Sequence, residues 1–234
     1  MKIRILVTGA CGFIGSHLVE KLAKNKKYKV TALCFYNSSN SIGNMRHIPK
    51  NILNKINIVF GDIRSEDFIQ KITKGQDIVF HLAALISIPY SYRSPKSYID
   101  TNLVGTYNII NSCKINKTKK IIVTSTSEVY GTAQYVPIDE NHPLVAQSPY
   151  SASKIAADQL SISFQKTYNL PIIIARPFNT FGPRQSSRAI IPTLITQMIK
   201  NKNRIKVGNI TTKRDFTFID DTVDAFISLI NIKN

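Results

Sequence analysis

The stretch Ile3-Arg4-Ile5-Leu6-Val7-Thr8-Gly9-Ala10-Cys11-Gly12-Phe13-Ile14-Gly15 decides the fold. Residues Ile3–Thr8 form a short run rich in apolar side chains, of strand length, and Phe13–Lys24 continue with the spacing of an amphipathic helix. Three glycines stand at the junction. Gly9 permits a tight turn, Gly12 lets backbone N–H groups come close to a pyrophosphate, and Gly15 allows the helix to pack against the strand. A glycine triplet alone is common in loops. At the first strand-to-helix turn of an alternating chain it marks a dinucleotide site.

The alternation continues outward from that turn. Further strands are expected over residues 29–34, 56–60, 77–82, 120–125 and 172–176, and helices over residues 66–73, 95–114 and 149–168. Apolar strands separated by helices call for a parallel sheet covered on both faces. Right-handed crossovers then make the fold class α/β, a doubly wound Rossmann sheet with ligands at the carboxyl ends of its strands. Residues 1–176 are read as this dinucleotide-binding domain. Residues 177–234 are read as a smaller, partial substrate lobe interleaved with it, in which Pro177, Gly182 and Pro183 mark a loop. A helix over residues 190–200 and a strand–helix pair over residues 215–230 follow.

Bulk properties narrow the classes. The 234 residues are 43% hydrophobic and 19% charged, as in an ordinary soluble chain. No apolar run is long enough to span a bilayer, and the N-terminus lacks the apolar stretch of a signal peptide. Cys11, Cys34 and Cys113 fit neither a disulfide framework nor a metal site, so reduced thiols in the cytoplasm are expected. The net charge of +17 comes from clusters at Lys24/Lys26/Lys27, Lys114/Lys117/Lys119/Lys120 and Lys200/Lys202/Arg204/Lys206. Each lies near an expected helix end, where cations complement the macrodipole. None is interleaved with aromatics as a single-strand platform requires, so neither nucleic acid nor membrane is an expected partner. The charge suits attraction of an anionic substrate.

The second strand ends in Cys34-Phe35-Tyr36-Asn37, with neither an acid for ribose hydroxyls nor an arginine for a 2′-phosphate. NAD is therefore the expected cofactor, with NADP the alternative. Asp62, after the third strand, is a candidate acceptor for the adenine amino group.

The chemistry is carried by Ser148-Pro149-Tyr150-Ser151-Ala152-Ser153-Lys154. Ser148 suits an N-cap and Pro149 the first helical position, so Tyr150 falls in the first turn and Lys154 one turn later on the same face. An ammonium beside a phenol is expected to lower the phenol pKa, which a proton acceptor for an alcohol needs. The fifth strand runs into Ser125-Thr126-Ser127-Glu128. If this segment stays extended, Thr126 and Glu128 share a face. Thr126 could then hydrogen-bond the reacting oxygen. Glu128 would add a second base, which plain alcohol oxidation does not require.

Together these residues resemble the extended short-chain dehydrogenase/reductases of the NAD-dependent epimerase/dehydratase family. The likeness runs through Gly9-x-x-Gly12-x-x-Gly15, His81-Leu82-Ala83-Ala84, Asp100-Thr101-Asn102, Tyr150-x-x-x-Lys154, Arg176-Pro177-Phe178-Asn179 and Arg214-Asp215-Phe216. Ser125-Thr126-Ser127-Glu128-Val129-Tyr130-Gly131 is similar to the 4,6-dehydratases and UDP-glucuronate decarboxylases. Residues 84–92 and 131–138 are similar to dehydratases of legionaminic-type pathways, which act on UDP- or GDP-linked N-acetylglucosamine.

The resemblance implies that Tyr150, Lys154 and Thr126 serve oxidation at C4, and that Glu128 serves proton removal at C5 and water loss from C6. It implies cofactor contacts from Gly9, Gly12, Phe13, Ile14, Gly15, Asp62, Ile63, Leu82, Ala83, Ala84, Tyr150, Lys154 and Pro177. Substrate contacts are implied for Ser87, Asn102, Thr126, Asn179 and Arg214, the last two on the diphosphate. No metal is implied. A homodimer is implied, formed through the helices over residues 95–114 and 149–168. A 4-epimerase, a UDP-glucuronate decarboxylase and a non-catalytic dinucleotide-binding protein stand as alternatives.

Overall fold

The computed structural model describes residues 2–200 and 204–232. Six strands, β1 (Ile3–Thr8), β2 (Tyr28–Phe35), β3 (Asn57–Gly61), β4 (Ile78–His81), β5 (Lys120–Thr124) and β6 (Ile172–Ala175), form one sheet in the order β3-β2-β1-β4-β5-β6. Every pairing is parallel. The order reverses between β1 and β4, which places the ligand crevice at the ends of those two strands.

Period-two alternation divides the core. From β1, Ile5 and Val7 join α1 (Phe13–Lys24) through Leu18, Val19 and Leu22 on one face. Leu6 joins Val79, Ile121 and Val123 on the other face, under α3 (Glu66–Thr73) and α6 (Gly105–Ile115). Strands buried on both faces read as the continuous apolar runs seen in the sequence.

Two short helices, α2 (Lys50–Leu53) and α4 (Ile88–Arg93), lie in stretches read as connections. The helix expected over residues 95–114 is broken into α5 (Pro95–Tyr98), a π-helical segment (Ile99–Val104) and α6. α6 runs close to the loop after β3, where a Cβ on Gly105 would stand 2.5 Å from Ile63 Cδ1. α7 (Pro149–Tyr168) follows, with both Ser148 and Ser151 in a capping box.

Beyond β6, β7 (Asn179–Phe181) pairs with β8 (Phe216–Phe218) as a separate parallel ribbon. α8 (Ile190–Lys200) lies between them in the chain. α9 (Ile219–Ser228) returns to the main core, burying Ile219, Val223 and Phe226. No described helix is long and apolar enough to cross a membrane.

One expectation is corrected here. Cys11 and Cys34 are joined as a disulfide, with Cα atoms 5.4 Å apart. They stand 23 residues apart in sequence, but the parallel pairing of β1 and β2 brings the glycine turn beside the end of β2. Cys113 is the free, buried thiol, pushed up to about 12 by burial. Of the basic clusters, Lys202 lies outside the described residues.

Candidate active site

The glycine turn is shaped by contact. Gly9 has φ +69°, and a Cβ on it would meet Ala83 N at 2.7 Å. A Cβ on Gly15 would stand 2.2 Å from Gly9 O, so α1 can start against β1 only with glycine there. Gly12 is the N-cap of α1 and supplies no capping side chain, and the first turn through Phe13, Ile14 and Gly15 carries no acid. Its free N–H groups and the helix dipole fit the pyrophosphate of a dinucleotide.

Behind the turn runs a buried chain of hydrogen bonds. Thr106 Oγ1 donates to Asn102 O (2.5 Å), so its contact with His81 Nε2 (3.0 Å) must be donated by the imidazole. His81 Nδ1 then accepts from Thr8 Oγ1 (2.8 Å), and Thr8 Oγ1 accepts from Ala83 N (3.1 Å). Every proton is accounted for only if His81 is neutral. Burial, then the Lys154 charge, lower its pKa to about 3. Leu82 N donates to Thr8 O (3.3 Å), so the residues through Ala84 leave β4 beside the glycine turn.

Asp62 is engaged by Arg64, with Arg64 Nη2 2.5 Å from Oδ2 and Arg64 N donating to Oδ1 at 2.9 Å. Burial opposes its charge, but the Arg64 hydrogen bonds hold the carboxyl below its ordinary value. With Arg64, Ser65, Asp100 and Val104 it lines a shallow cleft. Ile63 is buried beside it.

The Tyr150 side chain is buried at the start of α7, with Tyr98 edge-on at 6.2 Å between ring centroids. Tyr98 donates to the carbonyl of Ser87 (2.5 Å), the N-cap of α4. Lys154 is buried one turn below and donates to Thr124 O (2.6 Å). Two expectations change. The segment after β5 does not stay extended: Thr126 caps a 3-10 turn, Ser127–Tyr130, and Thr126 Oγ1 accepts from Glu128 N (3.3 Å). Thr126 and Glu128 both act on Tyr150 nonetheless, Thr126 through a hydrogen bond and Glu128 through its charge. Nor is the phenol pKa lowered. Burial pushes Tyr150 up to about 12; a Thr126 hydrogen bond works against this, while the charge of Glu128 adds to it. The Lys154 ammonium is directed at the Thr124 carbonyl instead, and burial lowers it to about 8.

On the other side, Asn179 opens β7 and its N–H donates to Asp215 O (3.2 Å). The β7–β8 pairing sets Asn179 opposite Phe216, with the exposed Arg214 two residues before Phe216 in the chain. Pro177 O accepts from Ser127 N (3.1 Å), tying the end of β6 to the Glu128 turn. Asn102 is fully buried and its amide is engaged within the chain: Oδ1 accepts from Leu85 N (2.8 Å), and Nδ2 donates to Leu85 O and Ser153 Oγ (3.0 Å each).

The family model described as GDP-mannose 4,6 dehydratase matches residues 6–234. The chain belongs to this family. A dTDP-D-glucose 4,6-dehydratase of Dictyostelium discoideum is 35% identical over 239 residues, which cover 95% of this chain and 54% of that protein. Among solved structures, the UDP-N-acetylglucosamine 4-epimerase of Methanobrevibacter ruminantium superposes with TM-score 0.88 at 34% identity, covering 100% of this chain and 75% of its own. The UDP-glucuronic acid 4-epimerase of Bacillus cereus, in complex with UDP-glucuronic acid and NAD, gives 0.89 at 32%, covering 99% and 74%. The chain thus spans about half of the first relative's length and three quarters of the structural neighbours'.

Within this GDP-mannose 4,6 dehydratase family member, sequence reading missed Asp158, Ser125 and Tyr130. Asp158 is fully buried; its Oδ2 accepts from Ser125 Oγ (2.9 Å) and Arg176 Nε (3.0 Å). The available signal was its spacing, four residues after Lys154 on the same helix face. No group of described residues could hold a metal ion.

Proposed function

We propose that this chain acts as an NAD-dependent nucleotide-sugar 4,6-dehydratase on UDP- or GDP-linked N-acetylglucosamine. The observation that carries the reading is the Glu128 carboxylate folded to within electrostatic reach of the Tyr150 phenol. Oxidation alone needs one base, and a second carboxylate at the same spot serves a second proton transfer.

Bound NAD would supply hydride chemistry at C4 and C6. Gly9, Gly12, Phe13, Ile14 and Gly15 would hold its pyrophosphate. Asp62, Ile63, Leu82, Ala83, Ala84 and Pro177 would bind the rest of it. Tyr150 takes the C4 hydroxyl proton; the Thr126 hydroxyl favours its phenolate, and Lys154 stands one turn below, held on the Thr124 carbonyl. The resulting ketone acidifies C5–H, Glu128 removes that proton and passes it to the departing C6 hydroxyl, and the hydroxyl leaves as water. Asn179, which opens β7, and Arg214, two residues before β8, hold the diphosphate, where a planar guanidinium fits best. Ser87, placed against Tyr150 through Tyr98, and Asn102, which fixes the backbone at Leu85, shape the sugar site.

Residues 177–234 form a partial substrate lobe interleaved with the nucleotide-binding domain, to whose core α9 returns. The protein works in the cytoplasm as a homodimer through the helices over residues 95–114 and 149–168, where Ile99, Val104 and Tyr107 are exposed. Sedimentation giving a monomer at all concentrations would remove the dimer. A 4-epimerase is the second reading, supported by the two structural neighbours that carry that activity. Mass analysis after incubation with UDP- and GDP-N-acetylglucosamine decides: loss of one water supports dehydration, and an unchanged mass with inverted C4 supports epimerisation.

A further inference from the structure

Asp158 is a carboxylate with no exposure to solvent, placed on α7 one turn beyond Lys154. Both of its hydrogen bonds fall on one oxygen, from Ser125 Oγ and Arg176 Nε. Its Oδ1 is buried and has no hydrogen-bond partner among the described residues. Leaving such an oxygen unpaired is costly, and a pair built for stability alone would use both oxygens or be replaced by apolar packing. The partners are informative. Ser125 immediately precedes Thr126. Arg176 donates through Nη1 to Tyr130 OH (3.2 Å) and lies 5.3 Å from the Tyr130 ring centroid. Tyr130 closes the turn that contains Glu128. One carboxylate on the Tyr150–Lys154 helix therefore holds both ends of the Thr126–Glu128 turn.

We propose that Asp158 is a positioning residue that joins the Thr126–Glu128 turn to the Tyr150–Lys154 helix and supplies a fixed negative charge beneath that pair. The charge acts on Lys154 and Tyr150 from their own helix. It is faced by Arg176 from the end of β6 and by Ser125 from the end of β5, with Tyr130 and Glu128 on the turn beyond. Its field favours the ammonium of Lys154, offsetting part of the burial that lowers it. The inference rests on the proposed roles of Tyr150, Lys154 and Glu128, but the geometry does not depend on which sugar is bound.

The test is an NMR titration of the chain with lysine labelled at Cε. Burial lowers Lys154 to about 8 and so sets it apart from exposed lysines, and Lys154→Arg identifies its signal. In Asp158→Asn the midpoint is expected to fall by about one unit, the scale of losing one nearby charge. Mere loosening of the core would move it the other way, towards the ordinary lysine value, and either that or no change would overturn the proposal. Should Asp158→Asn not fold, Ser125→Ala decides, because it keeps the charge and removes one arm. It is expected to leave the Lys154 midpoint in place and lower kcat roughly tenfold at constant KM, the effect of a small misplacement; intact kcat would overturn the proposal. A midpoint that responds in a chain that turns over no sugar would sink the functional reading and leave this one standing.

Discussion

α8 and α9 are successive helices of similar length with near-equal amphipathic patterning, yet they differ in what they touch. α9 buries Ile219, Thr222, Val223 and Phe226, its Phe226 ring 6.4 Å from Phe80 of β4. α8 buries none of its residues, and Ile190, Ile195, Met198 and Ile199 are all exposed. The chain after β6 is thus of two kinds. α9 is part of the nucleotide-fold core, joined to it through α1, while α8 and the β7–β8 ribbon stand beside that core, with Asn179 opening the ribbon and Arg214 just before β8. Amphipathic pattern tells that a helix has a face to bury, and only the packing tells whether this chain buries it.

The comparison can be broken by substitution, beginning with the site on the core side. Tyr150→Phe removes only a hydroxyl from a packed helix start, so turnover is expected to fall by about 10³-fold with Tm nearly unchanged; steady-state rates with a melting curve check both. Phe226→Ala is expected to cost about 3 kcal/mol in chemical denaturation, although it lies far beyond the 1–176 boundary. If that cost were absent, α9 would not belong to the core. His81 gives a third handle. Its folded pKa of about 3 lies below the unfolded value of 6.5, so its contribution is complete above 6.5 and lost as pH falls towards 3. Between pH 7 and 5 about 2 kcal/mol of stability should disappear on this account, and His81→Gln should flatten the dependence. The smallest effect belongs to α8: Ile199→Ser is expected to change stability by less than about 0.5 kcal/mol. A larger loss would mean that α8 is packed in solution.

Much of the sheet was legible because its strands are buried on both faces, and because α1 begins on glycine and α7 on Ser148-Pro149, whose chemistry is local. The ends of β1, α1 and α7 were readable for that reason. The turn at Ser127–Tyr130 was not, since Thr126 capping Glu128 N is a choice between two local hydrogen-bond patterns that alternation cannot see. The Cys11–Cys34 pairing and the Asn179–Asp215 contact were equally hidden, because each depends on which strands lie side by side. Asp158 escaped notice for another reason: a carboxylate within a helix reads as solvated surface until its partners from β5 and β6 are in place.

The π-helical segment Ile99–Val104 has a further consequence for evolution of this helix. Such a segment is an α-helix carrying one residue more than its hydrogen bonds need. Asn102 sits within it, and its amide faces Leu85 on one side and Ser153 on the other. Deleting one residue of the segment would restore regular winding by removing that extra residue, and would leave α5 and α6 close to their present orientations. The change would fall on the segment itself, where Asn102 now clasps two elements.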